Sequence, residues 1–488
     1  MLSNLSRNSF SFARVLLSLS LLVAMRTTAT EAQKPAPAED VKITLAGDSI
    51  VNRRLSVYDD PASTGLFDLI RHSDAAFTNF ETLVTNYAYP GASVSGGAYQ
   101  SSPSWIPSEL KWAGFNIVST ANNHAFDYGV GGMQSTLRAL DEAGLVHAGT
   151  ADNLALARSP AFLDTSKGRV ALVAVASTFT EGSLAGEQRP DLIGRPGVNP
   201  LRFTTTYTVD RDVFEALEKV AALTAAGGEG GESAAARNQG ARNRLRLGNL
   251  QFQLGDSESV STQLNKSDLE ALQASVRDAH RQAEWVIVSS HTHESGPGGQ
   301  SVPPDFLITA AHAAIDSGAD IFVAHGPHIL RGIEIYKGKP IFYSIGNFIF
   351  ENETMLFQPA ESYESSNLPA NATVADYFDN RSANDTRGFP VNKAVWESVV
   401  AQVSFHPDHT LDQITLVPIS LGYMEPRSQR GRPRLSSPER SKATIDEIAK
   451  LSGPFGTIVA YRGGRGVVDG SARKDSSQPL VRTGTKPQ

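Results

Sequence analysis

Asn116-Ile-Val-Ser-Thr-Ala-Asn-Asn-His124-Ala-Phe-Asp127-Tyr-Gly129 begins as a short β-branched run and then turns abruptly polar, and that change decides the fold. A short apolar run bounded by turn residues reads as a buried strand. Open α/β sheets carry their ligands beyond the carboxyl ends of such strands. The same pattern recurs along the chain. Residues Val41 to Ala46, Asp74 to Phe80, Asn116 to Thr120, Val170 to Ala176, Trp285 to Ser289, Asp320 to Ala324 and Lys339 to Tyr343 read as strands, and Val399 to Phe405 and Ile414 to Ile419 close the series. Between them, Gly132 to Ala143, Ser267 to Ala283 and Pro304 to Ser317 repeat apolar residues three and four apart, the helical period. Gly144 and Gly318 stand where those helices should stop. Strands alternating with helices predict an α/β architecture.

With 488 residues, 40% hydrophobic and 19% charged, the chain can bury one large core, or one core and a small accessory unit. A net charge of −7 offers no general attraction to nucleic acid or anionic lipid, so no nucleic-acid partner is expected. The chain has no cysteine, which excludes disulfides, thiolate metal sites, cysteine nucleophiles and a lipoprotein anchor. Any metal must be held by His, Asp, Glu or Asn.

Arg7 and Arg14, the apolar run from Val15 to Met25 and the small residues that follow have the three parts of a secretory signal. A signal peptide over 1–32 predicts an exported, periplasmic or extracellular protein. The apolar run falls short of the roughly 20 residues that span a bilayer; a short uncleaved membrane anchor is the alternative. A Pro/Ala-rich linker, 33–40, leads into a main domain, 41–423. Within it, Ala225 to Gly248 reads as a mobile low-complexity insertion and Asn352 to Asn392 as an irregular polar one. Pro426 to Ser441 is basic and Pro-rich. Residues 424–488 read as a C-terminal extension with a short helix, Ser441 to Leu451, a strand, Thr457 to Tyr461, and a disordered end.

Nearly every expected strand ends in residues able to bind metal or move a proton. Asp48 follows the first; Asn79 and Glu81 the second; Asn122, Asn123 and His124 the third. His291, His293 and Glu294 follow Trp285 to Ser289, and His325 and His328 follow Asp320 to Ala324. Singly, each has an ordinary explanation. Asp48 can cap a turn or a helix, Asn122-Asn123-His124 can be an Asx turn leading into a helix with Asp127 as its cap, and the histidines can be loop polars. Independent turns do not explain imidazoles and carboxylates at five successive strand ends. Ser344 lacks the Gly-x-Ser-x-Gly elbow, which argues against a serine hydrolase. Glu334 reads either as a cleft residue or as a surface partner of Lys337 or Lys339.

Gly47-Asp48, Asn79-Phe-Glu81, Ala121-Asn-Asn-His-Ala-Phe-Asp-Tyr-Gly129, Pro327-His328 through Gly332-Ile-Glu334, and Tyr343-Ser-Ile-Gly-Asn-Phe-Ile-Phe350 resemble the bacterial capsule-synthesis, poly-γ-glutamate (CapA-like) family. The resemblance spans Val41 to Tyr423 with the two insertions set aside. That family in turn resembles the calcineurin-like metallophosphatases, which implies a layered α/β sandwich with inserted loops. It implies a metal set of Asp48, Glu81, Asn123, His291 or His293, and His325 with His328, holding one or two divalent Mn, Zn or Fe ions. His124 would be the proton donor, with Asp127 of the same string in the catalytic group, and Asn79, Asn122, Glu294 and Asn347 would line the substrate cleft. An anionic polymer or phosphoester is the implied substrate, and membrane-bound polymer-synthetase or export subunits are the implied partners. Three departures bear on the metal count: Ile50 stands where the phosphatases carry a His, Glu81 replaces an Asp, and Gly326 stands where relatives often carry a His. A non-catalytic polymer-binding or scaffold subunit is the alternative function, and a stand-alone secreted phosphoesterase a third.

Overall fold

Alternate residues of single strands serve two different cores, and this sets the layering. In the strand Gly168–Ala176, Val170, Leu172 and Ala174 enter one cluster while Ala171, Val173 and Val175 enter another. Trp285 and Ile287 part from Val286 and Val288 in the same way within Trp285–His291. Successive side chains of a strand point to opposite faces, so a strand apolar at every position is buried on both.

The computed structural model describes residues 39–225 and 243–470. They build a mixed α/β sandwich. The larger, ten-stranded sheet runs in the order Ala460–Arg462, Arg465–Asp469, Leu411–Ser420, Glu397–Phe405, Val41–Ile50, Ala75–Phe80, Ile117–Ser119, Val146–Ala148. Asn347–Phe350 joins it beside Val41–Ile50, and Arg434–Leu435 beside Leu411–Ser420. The six-stranded sheet runs Ile333–Tyr336, Lys339–Phe342, Ile321–His325, Trp285–His291, Gly168–Ala176, Ala161–Thr165. Ile43 and Phe77 of the first sheet share a cluster with Leu172 and Ile287 of the second, so that core lies between the sheets. Helices Pro61–Arg71 and Ile106–Ala113 cover the outer face of the larger sheet, and Lys266–Gln282 and Asp305–Asp316 that of the smaller. The layers are therefore helix, sheet, sheet, helix. The central strands of each sheet are parallel, which gathers their carboxyl ends at one edge.

Every strand expected from the sequence forms, with ends shifted by a few residues. Three expectations about organisation are corrected. Residues 424–470 are no separate unit: Arg465–Asp469 pairs with Leu411–Ser420, and Ile445 and Ile448 of the helix Pro438–Ser452 enter the core between the sheets. The expected strand at Thr457 to Tyr461 forms at Ala460–Arg462. Asn352 to Asn392 is not irregular throughout, since it holds the helices Ala360–Ser365 and Val374–Ser382. Thr373 and Asp376 close a capping box on the second, and Tyr377 and Phe378 are buried. Of Ala225 to Gly248, Arg244–Leu247 is a strand in a four-stranded sheet with Leu250–Leu254, Phe203–Val209 and Ser259–Leu264; residues 226–242 lie outside the described residues. So do the expected signal peptide, most of the linker and residues 471–488.

Candidate metal centre

Strand register delivers the polar residues to one place. Asp48 pairs with Asn79 across parallel strands of the larger sheet, and His291 with His325 across parallel strands of the smaller. Glu81 follows Ala75–Phe80, and Asn122-Asn123-His124 follow Ile117–Ser119. Asp48 Oδ1 lies 3.3 Å from His325 Nδ1 and 3.9 Å from His291 Nδ1, and Asp48 Oδ2 lies 3.5 Å from His328 Nδ1. Glu81 Oε1 lies 3.7 Å from His291 Nε2 and 4.0 Å from His328 Nε2. His291 Nε2 is 3.0 Å from His293 Nε2 and 2.8 Å from Asn123 Oδ1. Asp48 with His291 and His325, Glu81 with His291 and His293, and Asp48 with Glu81 and His328 each bring their ligand atoms within 4.8 Å of one another.

Hydrogen bonding within the cluster is uneven. Both Glu81 oxygens are buried and receive no hydrogen bond. His291 Nδ1 faces His325 Nδ1 at 3.0 Å while its Nε2 faces His293 Nε2, yet a neutral imidazole carries a single N–H. Burial first, then the neighbouring His293, holds His291 well below the usual imidazole range. Burial and the charge of His328 lower His293 to about 3. Both rings are therefore neutral near pH 7 and present lone pairs. Burial by itself raises Asp48, but hydrogen bonds from His325 and His328 outweigh it and hold the carboxyl well below its ordinary value. Burial, then the charge of Asp48, pushes Glu81 well above the carboxylate range. Converging oxygen and imidazole lone pairs make groupings that could bind a metal ion.

Neighbours hold several of these groups in position. Asn79 Nδ2 donates to Asp48 Oδ1 at 2.8 Å, Ser289 Oγ meets His325 Nε2 at 2.7 Å, and Asn347 Oδ1 meets His328 Nδ1 at 2.8 Å. The Gly326 N–H donates to Asp48 Oδ2 at 2.9 Å. Gly326 has φ +116°, and a Cβ there would lie 3.0 Å from the Thr292 nitrogen, so only glycine permits that approach. His328 itself adopts φ +59°, a strain that the surrounding contacts must over-determine.

His124 stands beside the cluster, near enough that its charge helps lower His293. Its Nδ1 is 2.7 Å from Asp127 Oδ2, and Asp127 also accepts from the Gly96 and Gln100 N–H groups. Asp127 thus sets the ring's orientation and leaves Nε2 for other partners. The Asx turn expected at Asn122 forms as well, with His124 N donating to Asn122 Oδ1 at 3.1 Å. The turn aims the imidazole.

Of the four residues expected to line a substrate cleft, Asn79 and Asn347 back Asp48 and His328, and Asn122 Nδ2 binds the Phe80 carbonyl. The Glu294 carboxylate turns away to accept from Ser177 and Thr178. Glu334 accepts from His312 and Tyr343, while Lys337 and Lys339 pair with Asp316 and Asp320 instead. Ser289, Thr178 and Gln100 support the cluster without having been singled out in the sequence; a serine inside an apolar strand carries no local signal of its role.

The family described as "Bacterial capsule synthesis protein PGA_cap" matches residues 42–352. The uncharacterized protein y4sH of Sinorhizobium fredii is 34% identical over 445 residues, 86% of this chain and 91% of that protein. The capsule biosynthesis protein CapA of Bacillus anthracis is 24% identical over 69% of this chain and 67% of its own length. The PGA biosynthesis protein CapA of Bacillus subtilis is 26% identical over 58% and 55%. With its strand-end cluster inside the matched residues, the chain belongs to the bacterial capsule synthesis (PGA_cap) family.

Proposed function

We propose that this chain is an exported accessory protein of capsular polyglutamate synthesis whose strand-end cluster is a metal-dependent hydrolase site of the phosphoesterase type. The observation that carries the reading is the Glu81 carboxylate, buried among imidazoles with no hydrogen-bond donor to either oxygen. Asp48, Glu81, Asn123, His291, His293, His325 and His328 would hold one or two divalent ions, which supply Lewis-acid polarisation of a phosphoryl or acyl oxygen. Asp127 fixes the His124 ring so that Nε2 delivers a proton to the leaving oxygen. Ser289 and Asn347 hold the His325 and His328 rings, which spares reorganisation at the moment of reaction. The names of the Bacillus relatives support a place in polymer synthesis, with a membrane-bound synthetase or export subunit as partner. The signal-like residues 1–32 support export.

A non-catalytic polymer-binding subunit is the second reading, and Ile50 favours it: the position where phosphatases carry a histidine points into the outer hydrophobic core. Metal analysis of purified protein, joined to a screen of phosphoester and γ-glutamyl substrates, separates the two. His124→Ala should retain its metal and lose turnover by about 10²- to 10⁴-fold, the range of general acid–base catalysis. Metal-loaded protein inert toward every substrate in the screen would overturn the hydrolase reading.

A further inference from the structure

Four arginines meet the 352–392 insertion, and they are of two kinds. Arg427 pairs with Asp379, and Arg430 with Glu353 and Asp385. Arg381 and Arg387 pair with no carboxylate among the described residues. Arg381 Nη1 donates to the Tyr377 hydroxyl at 3.3 Å, and Arg387 donates to the carbonyls of Arg381 and Asn380 at 3.2 and 3.1 Å. Both are exposed, and both line a cavity of about 600 Å³ whose one carboxylate is Glu361. Ser362 and Asn380 add uncharged polar groups to its walls, while the Ser95 and Tyr99 hydroxyls donate to the Gly97 and Ala92 carbonyls. Gly97 connects this cavity to the reaction site: a Cβ built there lies 3.6 Å from His124 Cε1, 3.9 Å from His124 Nε2 and 3.8 Å from Arg381 Nη2. The proton-delivering edge of His124 and an unneutralised guanidinium therefore border the same gap.

We infer that Arg381 and Arg387 form an anion subsite beside His124 that takes a carboxylate or phosphoryl group of the substrate lying beyond the reacting centre. Its placement relative to the reacting bond rests on the hydrolase reading above; the binding itself does not. The planar guanidinium fork matches two oxygens of either anion, and it cannot lose its charge. A chain of net charge −7 repels a polyanion overall, so a local positive groove is what such a ligand needs to dock. The two arginines fall outside the residues 42–352 matched by the family.

Full-length protein titrated calorimetrically with a short γ-linked glutamate oligomer, and separately with inorganic phosphate, tests the subsite. R381Q/R387Q should weaken binding by about 2- to 30-fold, as expected for two exposed ion pairs. A loss confined to the oligomer assigns the subsite to carboxylates, and a loss confined to phosphate assigns it to phosphoryl groups. Because Arg387 also ties down the end of its helix, R381Q alone is the control against misfolding, and R381K, which keeps the charge but loses the fork, should fall between wild type and R381Q. Undiminished binding of both probes by R381Q/R387Q overturns the inference. Wild-type protein that turns over no phosphoester, yet loses oligomer binding in R381Q/R387Q, would remove the hydrolase reading and leave the subsite standing.

Discussion

The Asp48 end and the Glu81 end of the cluster are furnished differently. Asp48 receives the Asn79 amide and the Gly326 N–H, His325 has Ser289, and His328 has Asn347. Among the described residues, Glu81 receives no hydrogen bond, and the His293 ring meets His291 at 3.0 Å. The first end is organised by the protein's own side chains and the Gly326 N–H; the second leaves its carboxylate without a donor. An unsatisfied buried polar group costs about 1–3 kcal/mol, more when charged, so the Glu81 end is held at a cost in metal-free stability. A first ion held firmly and a second held weakly is the pattern this contrast predicts.

The largest effect is expected at the Asp48 end. Groups that merely orient a ligand are worth about 10- to 100-fold in metal affinity, so His325→Ala, which removes a ligand atom, should exceed that range. Metal content after dialysis checks it, and a loss no larger than that of Glu81→Gln would erase the distinction between the ends. Glu81→Gln should act with opposite signs. It lowers metal content, yet it removes a buried carboxylate without donors, so the metal-free protein should melt about 2 °C or more above wild type. A lower melting temperature in chelator would show that Glu81 is satisfied without a cation.

The smallest effect is a difference in pH dependence. His293 is lowered to about 3, whereas an unfolded histidine titrates near its usual value of about 6.5. Its contribution is intact above about 6.5; as pH falls toward 3 the unfolded chain binds a proton that the folded chain does not, and stability drops by at most about 1.4 kcal/mol per pH unit. Glu81, raised by burial, works in the opposite direction over part of this range, so the informative quantity is a comparison. In chelator, denaturant midpoints of His293→Asn should fall less steeply with acid than those of wild type. Parallel curves would mean that His293 is not held neutral by its surroundings.

The strands, the α/β class they imply and the polar residues at their ends were legible in the amino-acid sequence, because apolar runs and strand-end polarity are properties of neighbouring residues; the layered sandwich was implied only by the family resemblance. Val170 to Ala176 and Trp285 to Ser289 announce themselves by composition. Local signals misled where the evidence was of another kind. Residues 424–470 look like an appendage, but they add the strands Arg465–Asp469 and Ala460–Arg462 to the main sheet, a pairing set by contact with Leu411–Ser420 rather than by anything in the segment. Only the tertiary structure decided which carboxylate has donors and which has none. Asp48 is met by an N–H from Gly326, 278 positions away, and that bond exists because a strand of each sheet ends there and a glycine at positive φ turns the backbone toward it. Likewise Arg381 borders His124 because the insertion folds back over Gly97. Periodicity is local, whereas satisfaction of a buried polar atom depends on whatever the fold places opposite it.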